Sequence, residues 1–133
     1  PVRSLSWSSC SHHSDCHPRD PRLEAVWTYV DSGASTTILT IREAGRLGLR
    51  AEDGQLMYSV VGDGSLIPVY THQLLMSIGA VEFRAAIGFS PRLGIGFNLL
   101  GRHDVFTNFD VTFSDARTQV TFRPSQRIRQ LKP

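Results

Sequence analysis

Two extended apolar segments, Leu56 to Val61 and Leu66 to Tyr70, flank Gly62-Asp63-Gly64-Ser65. Asp-Gly between such runs is a strong short-range hairpin signal, because both centre positions tolerate positive φ. The rest of the chain is punctuated in the same way. Ala25 to Val30 is a β-branched and aromatic run that stops at the turn-forming Asp31-Ser32-Gly33. Ser35 to Leu39 resumes extended character. Gln73 to Ile78 and Val81 to Phe89 read as a strand pair turned at Gly79-Ala80, and Val111/Phe113 and Val120/Phe122 alternate around Asp115-Ala116-Arg117 as a final hairpin. Thr40 and Glu43 stand in the spacing of a capping box, which predicts a short helix from Ile41 to about Leu47 ended by Gly48. A second short helix is expected over His103 to Phe109. Short strands at regular spacing with Gly-rich turns give an all-β fold class with one or two short helices.

The 133 residues suit one domain, and the formal charge of +2 gives no argument for a polyanion partner. The longest stretch free of Asp, Glu, Lys and Arg, Gly64 to Val81, is broken by Pro68, His72, Gln73 and Gly79, so no membrane span is expected. Residues 1–22 read as an N-terminal arm, 23–123 as the folded domain and 124–133 as a loose basic tail. Within the arm, Val2 to Trp7 has the texture of a terminal strand. The first twenty residues lack the apolar segment of a signal peptide, and the chain opens on Pro1 as a processed product or fragment would. Localisation is therefore unknown, with the cytoplasm as default. Cys10, His12, His13, Cys16 and His17 could offer ligands to zinc, but their spacing matches no standard finger and no second cluster follows, so no metal is assigned.

The site most suggestive of chemistry is Asp31-Ser32-Gly33-Ala34-Ser35. A carboxylate follows directly on an apolar strand, in a turn whose glycine lets a ligand approach the backbone. Small Ala34 leaves space beside it. A second motif, Leu99-Leu100-Gly101-Arg102, lies downstream. Other signatures fail: Gly94-Ile95-Gly96 lacks the third glycine of a dinucleotide loop, and His72 and His103 stand alone.

Val30-Asp31-Ser32-Gly33-Ala34, the Gly62-Asp63-Gly64 hairpin and Asn98-Leu99-Leu100-Gly101-Arg102 occur in that order, and in combination they resemble the retropepsin-like aspartic proteases. The likeness covers roughly residues 23 to 123 and is closer to cellular and bacterial members than to viral ones. It implies a closed, folded β-barrel of short strands with a flap hairpin. It also implies an aspartic endopeptidase without cofactor or metal, acting on a peptide or protein substrate. This chemistry needs two carboxylates, one taking a proton from water and one donating to the scissile carbonyl. The chain has one Asp-Ser-Gly, so the resemblance implies a homodimer in which Asp31 of each protomer meets at the axis.

By the same resemblance Asp31 is catalytic, while Ser32 and Gly33 support the loop, Ser32 by cross-linking to the partner's backbone. Ala34, Ser35, Phe97 and Leu99 line the cleft, and Gly62, Asp63 and Gly64 form the flap tip over the substrate. Leu100, Gly101 and Arg102 are structural. Some viral members carry an acidic residue where Ser35 stands, positioned to pair with the arginine; here Asp104 or Asp110 is expected to substitute. Two other readings stand beside this one. A retropepsin-like domain could bind or dimerise without proteolysis, and a small metal- or nucleic-acid-binding protein could use the Cys/His arm and basic tail.

Overall fold

Leu66–Ile78, rich in apolar and β-branched residues whose burial alternates over 66–69 and 73–76, is the longest element, a strand that carries a hairpin on each end. A computed structural model describes residues 4–7, 23–93, 96 and 98–130 of the chain. Its strands are β1 (Ser4–Trp7), β2 (Leu23–Ala25), β3 (Thr28–Val30), β4 (Thr37–Thr40), β5 (Gln55–Val60), β6 (Leu66–Ile78), β7 (Val81–Ser90), β8 (Asn98–Leu100), β9 (Phe109–Ser114) and β10 (Gln119–Pro124). Two short helices are α1 (Ile41–Arg46) and α2 (Gln126–Gln130). Among the described residues, eight strands form one sheet in the order β2-β1-β6-β7-β4-β8-β3, with β5 also paired to β6. The protein is mostly β, and this sheet curls into a half-barrel. β9 and β10 form a separate hairpin. No described helix is long and apolar enough to cross a membrane.

The hairpin pairs β5–β6 and β6–β7 are antiparallel, as is the short β4–β8 contact. The pairs β1–β2, β1–β6, β3–β8 and β4–β7 are parallel. The main core lies inside the curl, where Leu39, Leu47, Met76, Ile87, Phe89, Leu100 and Val105 are fully buried. Each such side chain contributes about 1.5–3 kcal/mol by leaving water. Phe109 packs tilted against Phe83 and edge to face against Phe122, with centroids 5.5 and 6.1 Å apart, which fastens the β9–β10 hairpin to the sheet.

Several local readings are corrected. The run from Ala25 to Val30 is two strands, because the chain breaks pairing at the buried Val26 and exposed Trp27. The strands expected at Leu66–Tyr70 and Gln73–Ile78 are one, since β7 pairs continuously from Tyr70 to Ile78. The helix expected over His103 to Phe109 is a wide turn over Arg102–Phe106, kinked at Asp104 with φ 63°, and Phe109 already belongs to β9. The tail begins as α2, whose Ile128 is buried in the core. The terminal strand read at Val2 to Trp7 forms over Ser4–Trp7 and pairs within its own chain. The Cys/His cluster lies outside the described residues.

The capping box does not form. Thr40 is the N-cap of α1, yet its side chain makes no cap bond. Its backbone N–H donates instead to Oδ1 of Asn98 (2.8 Å). Asn98, buried at 6% exposure, donates from Nδ2 to the Trp27 carbonyl (2.8 Å) and to Glu43 (3.3 Å). Glu43 turns to Arg46 (2.6 Å), which also reaches Glu24 (2.7 Å). Burial works against the Arg46 charge, but the Glu43 and Glu24 carboxylates outweigh it and raise its pKa. One buried amide therefore joins the lead into β3, the start of β8 and the top of α1. Thr40→Ala is expected to cost under about 0.5 kcal/mol, less than a working cap. Asn98→Ala is expected to cost about 2 kcal/mol or more, because it strands buried partners. Urea unfolding at equal protein concentration measures both.

Candidate active site

β3 delivers Asp31 to the mouth of the sheet. The β3–β8 ladder runs one step past Val30, where the Asp31 N–H donates to the Leu100 carbonyl (3.0 Å). The chain then turns: the Ala34 N–H donates to the Asp31 carbonyl (3.2 Å), and the Gly33 N–H donates to Asp31 Oδ1 (2.9 Å). This is an Asx turn, which fixes the carboxylate against its own backbone. Oδ2 accepts no hydrogen bond among the described residues, and the side chain is half-buried.

The far side of the loop is pinned by the continuation of β8. The Arg102 N–H donates to the Ala34 carbonyl (2.9 Å), the His103 N–H to the Ser35 carbonyl (2.8 Å) and the Gly101 N–H to the buried Thr37 Oγ1 (3.0 Å). Gly101 is where this crossing is tightest. A Cβ there would lie 2.2 Å from the Thr36 carbonyl oxygen and 2.3 Å from its carbon. Leu100 is fully buried behind the loop. Arg102 contributes only through its backbone: its side chain is exposed and forms no ion pair among the described residues. The expected pairing with Asp104 or Asp110 is absent, because Asp104 Oδ2 instead accepts the Ala86 N–H (2.8 Å).

Above the loop stands the β5–β6 hairpin. The Gly64 N–H donates to the Val61 carbonyl (2.8 Å) and the Val61 N–H to the Ser65 carbonyl (2.9 Å). Only Gly64 takes positive φ, at 84°, so the tip is a three-residue loop closed by a bulge and not a turn with both centres left-handed. Asp63 Oδ1 accepts both the backbone N–H (2.8 Å) and the hydroxyl (2.6 Å) of Ser65. These bonds hold the fully exposed Asp63 carboxyl below the usual carboxylate range, the hydroxyl having the larger effect.

Loop and hairpin enclose an open cleft of about 1030 Å³. Asp31, Gly33, Ala34 and Ser35 line it from the loop, Gly62 and Asp63 from the tip, and Leu99 from β8. Ser32 and Gly64 are exposed on the same two turns, outside the lining. Phe97 lies outside the described residues. Sequence reasoning missed Tyr29, Val60, Val61, Ile67, Arg92 and Leu93, which also line the cleft. Val61 and Ile67 were findable, since they flank the tip on paired strands. Arg92 and Leu93 sit in a loop with no local signal. His72 Nε2 lies 2.9 Å from the Ala51 carbonyl, and its ring packs on Phe89, so it is a packing residue. No group of three or more His, Cys, Asp or Glu side chains converges as a metal site among the described residues.

No family model matches the chain, and no match is found among curated proteins.

Three outcomes test this geometry. Gly101→Ala is expected to cost at least about 2 kcal/mol, since backbone must move to admit the methyl. Gly62→Ala, with nothing within 4 Å of the added carbon, is expected to stay within about 0.5 kcal/mol in the same denaturation assay. The lowered Asp63 pKa means its charged form favours the folded hairpin. That contribution is present above the unfolded pKa and lost as pH falls through the folded one. Carboxyl-carbon NMR should therefore show Asp63 titrating at lower pH than an unstructured Asp, and Ser65→Ala should move the midpoint upward.

Proposed function

We propose that the protein is an aspartic endopeptidase that works as a homodimer, with the retropepsin-like barrel as its finer fold. The observation that carries this reading is the Asp31 carboxylate, held at a strand end by one oxygen and open at the other, under a hairpin that roofs the cleft. In the dimer the two Asp31 side chains hold one water between them. One carboxylate takes its proton as the oxygen attacks the peptide carbonyl, and the other, protonated, donates to the carbonyl oxygen. Collapse of the tetrahedral species returns a proton to the leaving nitrogen. Two close carboxylates sharing a proton give the acid and base from identical residues.

The remaining cleft residues serve the substrate. An extended peptide lies between loop and hairpin as an added strand, its side chains entering apolar walls formed by Leu99, Val61 and Ile67. Closure of the hairpin excludes water and fixes the peptide's register. Ser32 is exposed and has no hydrogen-bond partner among the described residues, which supports its assignment as the hydroxyl that cross-links to the partner's loop.

Asp31→Asn is expected to abolish cleavage of unstructured peptides, by at least about a thousandfold. The wild-type rate per chain should fall on dilution below the dimer dissociation constant, since half a site does no chemistry. Cleavage that survives Asp31→Asn overturns the reading. Peptide binding without any wild-type cleavage assigns the domain to recognition instead.

A further inference from the structure

We propose that Arg92 makes the cleft selective for peptides carrying an acidic side chain. The inference rests on the reading of the cleft as a peptide site and adds the charge of what it takes. The cleft wall is otherwise apolar or uncharged, and its charged residues are Asp31, Asp63 and Arg92. Each carboxylate is held through Oδ1 within its own turn, and the open Oδ2 of Asp31 belongs to the proposed reaction. Asp31 accepts the Gly33 N–H, and Asp63 accepts two donors from Ser65 within its own turn. The Arg92 guanidinium is exposed and meets no carboxylate among the described residues.

Its base is rigid. The Arg92 N–H donates to Ser90 Oγ (3.2 Å), and that hydroxyl, 1% exposed, donates to the Pro68 carbonyl on β6 (2.7 Å). Adjacent Leu93 is buried with Ile38, Ile67 and Val69 in the small core beneath the hairpin. The backbone that carries the cation is thus fixed to both β6 of the hairpin and the cleft floor. A planar fork on a fixed backbone recognises a carboxylate with two parallel hydrogen bonds, and the low-polarity wall strengthens them. An extended peptide with apolar residues in the cleft and one Glu or Asp facing Arg92 matches this surface.

The test uses labelled ten-residue peptides of Ala, Leu, Val and Phe, each with one Glu, Gln or Lys scanned along its length. Cleavage is read as the ratio of kcat/KM for Glu over Gln at each position. Binding to the Asp31→Asn protein is read by fluorescence polarisation, so the outcome does not depend on turnover. The expected result is a Glu-over-Gln preference of about fivefold at one position, the scale of a partly solvated ion pair. It should vanish in Arg92→Gln and turn to a Lys preference in Arg92→Glu. Binding selectivity without cleavage supports Arg92 while removing the protease assignment. A wild-type preference for Lys, a Glu preference that survives Arg92→Gln, or no binding by any peptide overturns the proposal.

Discussion

Between residues 98 and 103 the chain crosses the loop that carries Asp31, and the crossing works only because Gly101 has no side chain. Thr36 leaves no room for a Cβ at that point. The close approach lets four hydrogen bonds form, from the N–H groups of Asp31, Arg102, His103 and Gly101. Each is worth about 1 kcal/mol net, yet together they define where the loop sits relative to β3, β4 and β8. The buried Leu100 closes the same crossing from behind. Side chains at the loop can then be small and exposed, because main-chain contacts hold it.

The hairpin depends on a second, smaller core. Ile38, Ile67, Val69 and Leu93 pack together, with Val61 and Leu99 against them. These residues come from β4, β6, the start of the hairpin tip, β8 and the loop after β7, so roof and floor of the cleft share one apolar cluster. By contrast Leu56, Met57, Tyr58 and Val60 on β5 are all exposed, and β5 pairs on one side only. The hairpin is thus held near its tip through Val61, Ile67 and Val69 and lightly along its outer strand. Such segments open at low free-energy cost.

Much of this was legible in the amino-acid order. The hairpin at Gly62–Ser65, the strand ending at Asp31 and the Asp115–Arg117 turn all follow from local residue chemistry, and local chemistry decided them. The misses share a cause. Thr40 and Glu43 match a capping box, but Asn98, 58 residues away from Thr40, supplies the acceptor and frees Glu43 for Arg46. Leu66–Ile78 reads as two strands until β7 is seen beside it along its length. Ile128 in a polar tail becomes a core residue only because the β9–β10 hairpin brings it back. Arg92 enters the cleft through the path of its loop. Where a distant segment completes the environment, periodicity and spacing along the chain carry no trace of it.

The bond between the Asp31 amide and the Leu100 carbonyl has a consequence for biosynthesis. A ribosome delivers the first of these residues long before the second. Until the segment through His103 has emerged from the exit tunnel, the Asp31 turn lacks the strand that shapes it. The geometry that the turn gives the carboxylate is therefore missing from the nascent chain until residues 98 to 103 have been made.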